Sequence, residues 1–242
     1  MILLKIEDLC KSFGGLMAIH ALGFEVKQGE IVGLIGPNGS GKTTTLNLLT
    51  GFLKPDSGRV TFMGENITGL PRFRVSHKGI GRTFQLIKPF LDFTALQNVM
   101  VGRAYGHEPA KTLKVAEQES MEILERVGLL DKAQFLAKDL TLMQRKRVEL
   151  GRALATRPQL LLLDELMAGL NPAEAEDTMR LIKQIRDAGI TIVIVEHIVK
   201  AILGLSDRII VLNMGEKICE GPPQQITHDP KVIECYLGKA YA

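Results

Sequence analysis

The sequence predicts an α/β fold built on a mostly parallel sheet, with a portion richer in strands near the N-terminus and a helical subdomain inserted into the sheet. Three observations carry this. An apolar strand, a glycine loop and a helix follow one another near residues 30–52; strand and helix patterns alternate from Gln159 onward; and no such alternation occurs between about Thr94 and Arg157.

Taken in order, MILLKIEDL and IHALGFEV are short period-2 runs, and EIVGLI is a continuous apolar run of the kind buried on both faces of a sheet. It feeds the glycine loop, after which TTTLNLLTGF continues as a helix. SGRVTFMGENI supplies further strand, punctuated by Gly58 and Gly64. TALQNVMVGRAY, KTLKVAEQESMEILERVGLL and LTLMQRKRVELG read as helical. QLLLLDE then resumes the strands, followed by a helix from about Ala173 to Ala188, ITIVIVE, a short helical piece, and DRIIVLN and EKICEG paired around Met214 and Gly215. The expected organisation is one domain, residues 1–242, with the sheets in approximately 1–93 and 158–242 and the helical subdomain in approximately 94–157.

Composition limits the partners. With 242 residues, 45% of them hydrophobic, the chain can bury a real core. The 30 basic and 27 acidic residues leave a formal charge of +3, too slight to expect nucleic acid or an anionic membrane surface as the main partner. Cys10, Cys219 and Cys235 are odd in number and lack CxxC spacing, so neither a disulfide framework nor a zinc site is expected, and reduced thiols fit the cytoplasm. The N-terminus shows no secretory pattern, and the run ITIVIVEHIVKAILGL is broken by Glu196, His197 and Lys200, so a soluble chain is expected.

The strongest motif is GPNGSGKT, comprising Gly36, Pro37, Asn38, Gly39, Ser40, Gly41, Lys42 and Thr43, with Thr44 following. It matches GxxxxGK[ST] between strand and helix. The glycines let backbone N–H groups close on phosphate oxygens, Lys42 can reach the β- and γ-phosphates, and the Thr43 hydroxyl can ligate Mg²⁺. A purely structural glycine turn is the weaker alternative. LLLLDE ends a buried strand in two carboxylates, which are costly to bury without a cation or polarised water. Asp164 suits the Mg²⁺ shell and Glu165 an attacking water. ITIVIVEH ends similarly, placing His197 on the carboxyl edge of the sheet, where contact with a γ-phosphate competes with an ordinary structural histidine. Arg145, Lys146 and Arg147 crowd what reads as a helix's first turn, where the macrodipole already disfavours cations, so an anion is expected nearby.

The order GPNGSGKT, RTFQ (Arg82 to Gln85), LTLMQRKRVELGRAL, LLLLDE, GLNP (Gly169 to Pro172) and VEH resembles the ATP-binding subunit of an ABC transporter over essentially the whole chain. The resemblance implies a P-loop NTPase fold with a RecA-like core, an N-terminal antiparallel β subdomain and an inserted helical subdomain, and a head-to-tail dimer closing on two ATP molecules with Mg²⁺. It also implies that the chain is an ATP hydrolase. Residue by residue, it implies that Phe13 stacks on adenine, Gln85 touches Mg²⁺ or the attacking water, Glu165 is the catalytic carboxylate and His197 the switch histidine. An ordinary core aromatic is the alternative for Phe13.

More narrowly, FGGL, RTFQ followed by KPFLDFTALQNVMVG, AGLNP and the ending EGPPQQITHDPKVIECYLG resemble ATPase subunits of branched-chain or hydrophobic amino-acid importers, whose close relatives carry urea and amides. This implies transmembrane permease subunits, a second ATPase chain of a different or the same type, an extracytoplasmic solute-binding protein acting indirectly, and a peripheral place on the cytoplasmic face of the inner membrane. A groove near Gln85 and Leu86 to Phe93 would receive a permease helix, accounting for Ile87, Phe90 and Phe93, which core packing could otherwise explain. A soluble ABC ATPase of DNA repair or translation is a second reading, but the two cassettes or long coiled-coil insertion usual there are absent. A kinase or GTPase is a third, without a guanine-reading NKxD.

The departures from the family pattern are specific. Leu140, Thr141, Leu142, Met143 and Gln144 stand where the signature reads LSGGQ, so both glycines are missing. Thr141, Leu142, Met143 and Gln144 would face the partner's ATP, with the cations behind them near its γ-phosphate. Either the site built on the partner's phosphate loop is weakened, or LTLMQ is a tolerated spelling. Leu166 replaces a common proline and Asn171 a common aspartate, which keeps hydrogen-bonding capacity.

Overall fold

The computed structural model describes residues 1–85 and 88–237. Two long strands, β1 (Ile2–Phe13) and β2 (Leu16–Lys27), pair antiparallel across a two-glycine turn. β3 (Ile31–Ile35) leads into the glycine loop and α1 (Lys42–Leu49). β4 (Ser57–Phe62), β5 (Glu65–Asn66), α2 (Arg72–His77) and β6 (Ile80–Arg82) follow. Next come α3 (Ala95–Tyr105), α4 (Leu113–Arg126) and α5 (Leu142–Ala155), packed on one another. β7 (Leu160–Asp164), α6 (Pro172–Asp187), β8 (Thr191–Val195) and α7 (Val199–Leu205) restore the alternation. β9 (Arg208–Asn213), β10 (Glu216–Gly221), α8 (Pro223–Ile226) and α9 (Pro230–Leu237) complete the described chain.

One sheet has the order β2-β1-β4-β5 and is antiparallel; the other has the order β10-β9-β3-β8-β7-β6 and is parallel except for its β10 edge. The apolar runs work as strands buried on both faces. Val32, Leu34, Leu160, Leu162, Val193, Val195, Ile210 and Leu212 pack towards the antiparallel sheet and α1. Their alternates, Ile31, Leu161, Leu163, Ile192, Ile194, Ile209 and Val211, pack with the helices of the opposite layer, including residues of α3, α4 and α5. Among the described residues no helix is long and apolar enough to cross a membrane.

Three details differ from the sequence pattern. β1 runs well past the MILLKIEDL period, because a bulge at Asp8, in the left-handed region at φ 47°, resets the alternation. The helix expected to reach Phe52 ends at Leu49, where Gly51 turns left-handed and the Phe52 and Leu53 amides both return to the Asn47 carbonyl. β6 carries only three residues, too few for a period, and is fixed by parallel pairing with β7.

Candidate functional site

The site lies at the carboxyl ends of β3, β7 and β8. In the loop after β3, Gly36 and Gly41 hold φ 153° and 103°, and a Cβ at Gly36 would fall 2.1 Å from the Leu212 carbonyl oxygen. A Cβ at Gly41 would fall 2.6 Å from the Ile19 side chain. Two glycines of the motif are therefore required by packing as well as by φ. α1 starts at once from Gly41 with no side-chain cap, so its first-turn amides face the loop's concavity uncapped. Lys42 is buried, and its Nζ donates to the Gly36 and Pro37 carbonyls at 2.8 and 2.9 Å. Burial lowers its pKa, while Glu165 and Asp164 oppose that shift and help retain the charge.

Asp164, the last residue of β7, is almost wholly buried. Its Oδ2 accepts from Arg82 at 2.8 Å and its amide donates to Thr83 Oγ1 at 3.2 Å, while Oδ1 is buried with no hydrogen-bond partner. Glu165 follows in the left-handed region at φ 50°, unusual for a side chain of this size. The turn aims its carboxylate outward, where Gln85 Nε2 donates to Oε2 at 2.7 Å and His197 Nε2 meets Oε1 at 2.9 Å. Two residues far apart in sequence thus converge on the carboxylate of a third.

Thr43, Gln85 and Asp164 line one cavity of about 740 Å³, together with Phe52, Arg82, Phe84 and Glu149. The donor set suits a hard divalent cation: a hydroxyl, an amide oxygen and the unpartnered buried Oδ1 of Asp164. Phe13 is 46% exposed with Lys11 Nζ 5.7 Å from its ring centroid, so it stands at the surface and not in the core.

At α5 the structure corrects one expectation. Arg145, Lys146 and Arg147 occupy the second turn, and each donates within the chain: Arg145 to the Lys138 carbonyl, Lys146 to the Glu165 and Leu166 carbonyls, and Arg147 to the Val127 carbonyl. Backbone carbonyls thus accept from all three side chains, while Arg145 Nε and Arg147 Nε are buried with no hydrogen-bond partner. The first turn is instead closed by a capping box, Thr141 Oγ1 accepting from the Gln144 amide and Gln144 Oε1 from the Thr141 amide. Leu142 is 51% exposed, whereas Met143 is half-buried beside Leu166, Leu170 and Leu181. Asn171 similarly caps α6, exchanging hydrogen bonds with Glu174 at 3.0 Å each way.

Sequence reasoning missed two neighbours of the site. Arg82 was only a letter of RTFQ, yet it ties Asp164 to Asn47 and Thr50 at the end of α1. α9 brings Tyr236 against the backbone of Gly36; burial pushes the phenol's pKa up and the Gly36 amide opposes this. No periodicity in the C-terminal segment signals that contact. Of the apolar groove residues, Phe90 and Phe93 are 44% and 43% exposed and stack on each other at 5.3 Å, and Ile87 lies outside the described residues.

The family model described as "ABC transporter" matches residues 19–168, and one described as "Branched-chain amino acid ATP-binding cassette transporter" matches residues 216–242. The chain is 38% identical to a high-affinity branched-chain amino acid transport ATP-binding protein, BraF, of Pseudomonas aeruginosa, over 98% of each chain. Among solved structures it is similar to a nucleotide-free ATP-binding cassette from an ABC transporter, with a TM-score of 0.91, 34% identity, and 99% and 100% of the two chains covered. It is also similar to a dimeric ATP-binding cassette in a post-hydrolysis state bound to ADP and Pi, with a TM-score of 0.82, 28% identity, and 91% and 98% covered.

Proposed function

The chain belongs to the ABC transporter ATP-binding family, and from that premise we propose that it hydrolyses ATP to drive an importer of branched-chain or related amino acids. The observation that carries the chemistry is the convergence of Gln85 and His197 on the Glu165 carboxylate, next to the phosphate loop and the unpartnered Asp164 Oδ1.

The amides of Gly39 to Thr44 and the Lys42 ammonium bind the phosphates. Lys42 exchanges the Gly36 and Pro37 carbonyls for phosphate oxygens as it does so. Phe13 stacks on adenine. Mg²⁺, when bound, offsets phosphate charge, held by Thr43, Asp164 and Gln85. Glu165 takes the proton of a water in line with the γ-phosphate, and His197 orients the carboxylate and contacts that phosphate. The partner ATP lies against Thr141, Leu142, Met143 and Gln144 of this chain, in a head-to-tail dimer with a second ATPase chain. Residues 94–157 act as the helical subdomain, and the surface near Gln85 that carries the exposed rings of Phe90 and Phe93 takes a cytoplasmic helix of the permease. The assembly is peripheral to the cytoplasmic face of the membrane, with an extracytoplasmic binding protein presenting the solute.

Glu165→Gln is the test. It should abolish turnover by the assembled transporter, by about 10²-fold or more, while retaining ATP and trapping a closed dimer. Hydrolysis at the wild-type rate would show that the proton goes elsewhere.

A further inference from the structure

Glu165 can act only if its backbone holds an unfavourable conformation, so what holds it matters. At φ 50° the residue sits in a region that side chains with a Cβ rarely adopt, and such strain persists only when the surroundings over-determine it. The amide of Glu165 donates to the Val195 carbonyl at 2.9 Å, which fixes the turn's entry to β8. The rest of the turn is gripped from two sides by buried charges. Lys146, on the helix that starts at the signature, donates to the Leu166 carbonyl at 2.7 Å and the Glu165 carbonyl at 3.3 Å. Glu196, at the end of β8, accepts from the Met167 amide at 2.7 Å.

Both side chains are more than nine-tenths buried, at 6% and 4% exposed. Burial lowers the pKa of Lys146 and raises that of Glu196, each opposed by the charge of the other. A buried ammonium is costly, and an apolar side chain of the same length would serve packing alone more cheaply. The two carbonyls it binds belong to Glu165 and the residue that follows. Its donors are therefore spent on the one turn that sets the direction of the Glu165 carboxylate.

We propose that Lys146 is a positioning residue for ATP hydrolysis: it fixes the left-handed turn that points Glu165 at the attacking water, and so ties the signature helix to the chain's own hydrolytic site. The proposal rests on the assignment of Glu165 as the catalytic carboxylate. A rotation of α5, whose N-terminus faces the partner's nucleotide, is transmitted through Lys146 to Glu165. One side chain thereby joins the two ATP sites of a dimer within a single chain.

Lys146→Met, Lys146→Arg and Glu165→Gln are compared with wild type in the assembled transporter, following hydrolysis across ATP concentrations. Nucleotide binding and melting temperature are measured on each full-length chain. Lys146→Met is expected to lower kcat by about 10- to 100-fold, with KM and nucleotide affinity within about 2-fold of wild type; Lys146→Arg, which keeps the donors, recovers much of the rate. A Lys146→Met rate within about 2-fold of wild type, beside an inactive Glu165→Gln, overturns the clamp alone. So does a joint fall of kcat, affinity and melting temperature without recovery by arginine, which would mark a purely structural tie. Undiminished hydrolysis by Glu165→Gln overturns the assignment of Glu165 and, with it, the target of the clamp.

Discussion

Glu149 shows how a single buried acid sets a pH dependence. Its Oε1 accepts from the Phe84 amide at 2.6 Å, which anchors the segment carrying Gln85 to α5. Burial raises its pKa, more than that hydrogen bond and the nearby Arg152 and Lys146 charges lower it. The folded state therefore holds its proton to higher pH than the unfolded chain, and this contribution to stability is present below the ordinary glutamate range near pH 4.3. It is lost as pH rises through the elevated value. Glu149→Gln keeps the acceptor and removes the charge, so its melting temperature should exceed wild type by a few degrees at pH 7.5, a gap closing towards pH 4; a gap constant with pH would show that ionisation is not the cause. Asn171→Ala should lower stability by about 1 kcal/mol through loss of the α6 cap, or about 2–4 °C in melting temperature. At this scale the local motifs were legible in the sequence: the phosphate loop and both β7 carboxylates are contiguous with the strands that place them. Arg82 was not legible, because its partner Asp164 is 82 residues away and meets it only through the β6–β7 pairing.

At the scale of elements, strands buried on both faces announce themselves as continuous apolar runs, and β3, β7, β8 and β9 all do so. β6 escaped for the opposite reason, since three residues held by a neighbour carry no period. α5 was legible as a helix, but not the placement of its charges: residues 145–147 lie beyond the capping box and donate to carbonyls of three separate segments. In the proposed dimer, the first turn then decides how closely the backbone approaches the partner's ATP. Leu142 projects into solvent and reaches Gly169, where a Cβ would stand 3.4 Å from Leu142 Cδ2, while Met143 packs inward. Removing both side chains should let the amides close further. Leu142→Gly with Met143→Gly is expected to raise hydrolysis by the assembled transporter several-fold, against a helix-propensity cost of up to about 1 kcal/mol per glycine. An unchanged rate at retained folding would mean that LTLMQ is already a competent signature.

For the whole molecule, Thr43, Gln85 and Asp164 share one cavity with the rings of Phe52 and Phe84 and with Arg152, and that arrangement makes a coupling device physically reasonable. Phe52 and Phe84 meet edge to face at 5.5 Å on its wall, and the Arg152 guanidinium lies 4.8 Å from the Phe90 ring centroid. The Phe90 segment is not loosely placed. Asn98, fully buried, accepts from the Phe90 amide at 2.9 Å and donates to the Phe90 and Thr94 carbonyls at 3.0 Å each, so the rings are held outward by a satisfied polar bracket. An apolar surface built this rigidly, beside charged rims, has the features of a helix-receiving groove. Phe90→Ala with Phe93→Ala should leave ATP binding by the chain within about 2-fold of wild type and lower its melting temperature by no more than a few degrees, since exposed rings contribute little to folding. Co-purification with the permease subunits should fall about 10-fold or more, because aromatic anchors carry most of such an interface. Retained assembly would place the permease elsewhere, and a large loss of thermal stability would return these rings to the core of the chain. Measuring nucleotide binding, melting temperature and assembly on the same preparation separates those outcomes, because the phosphate loop and the aromatic bracket rest on different layers of the fold.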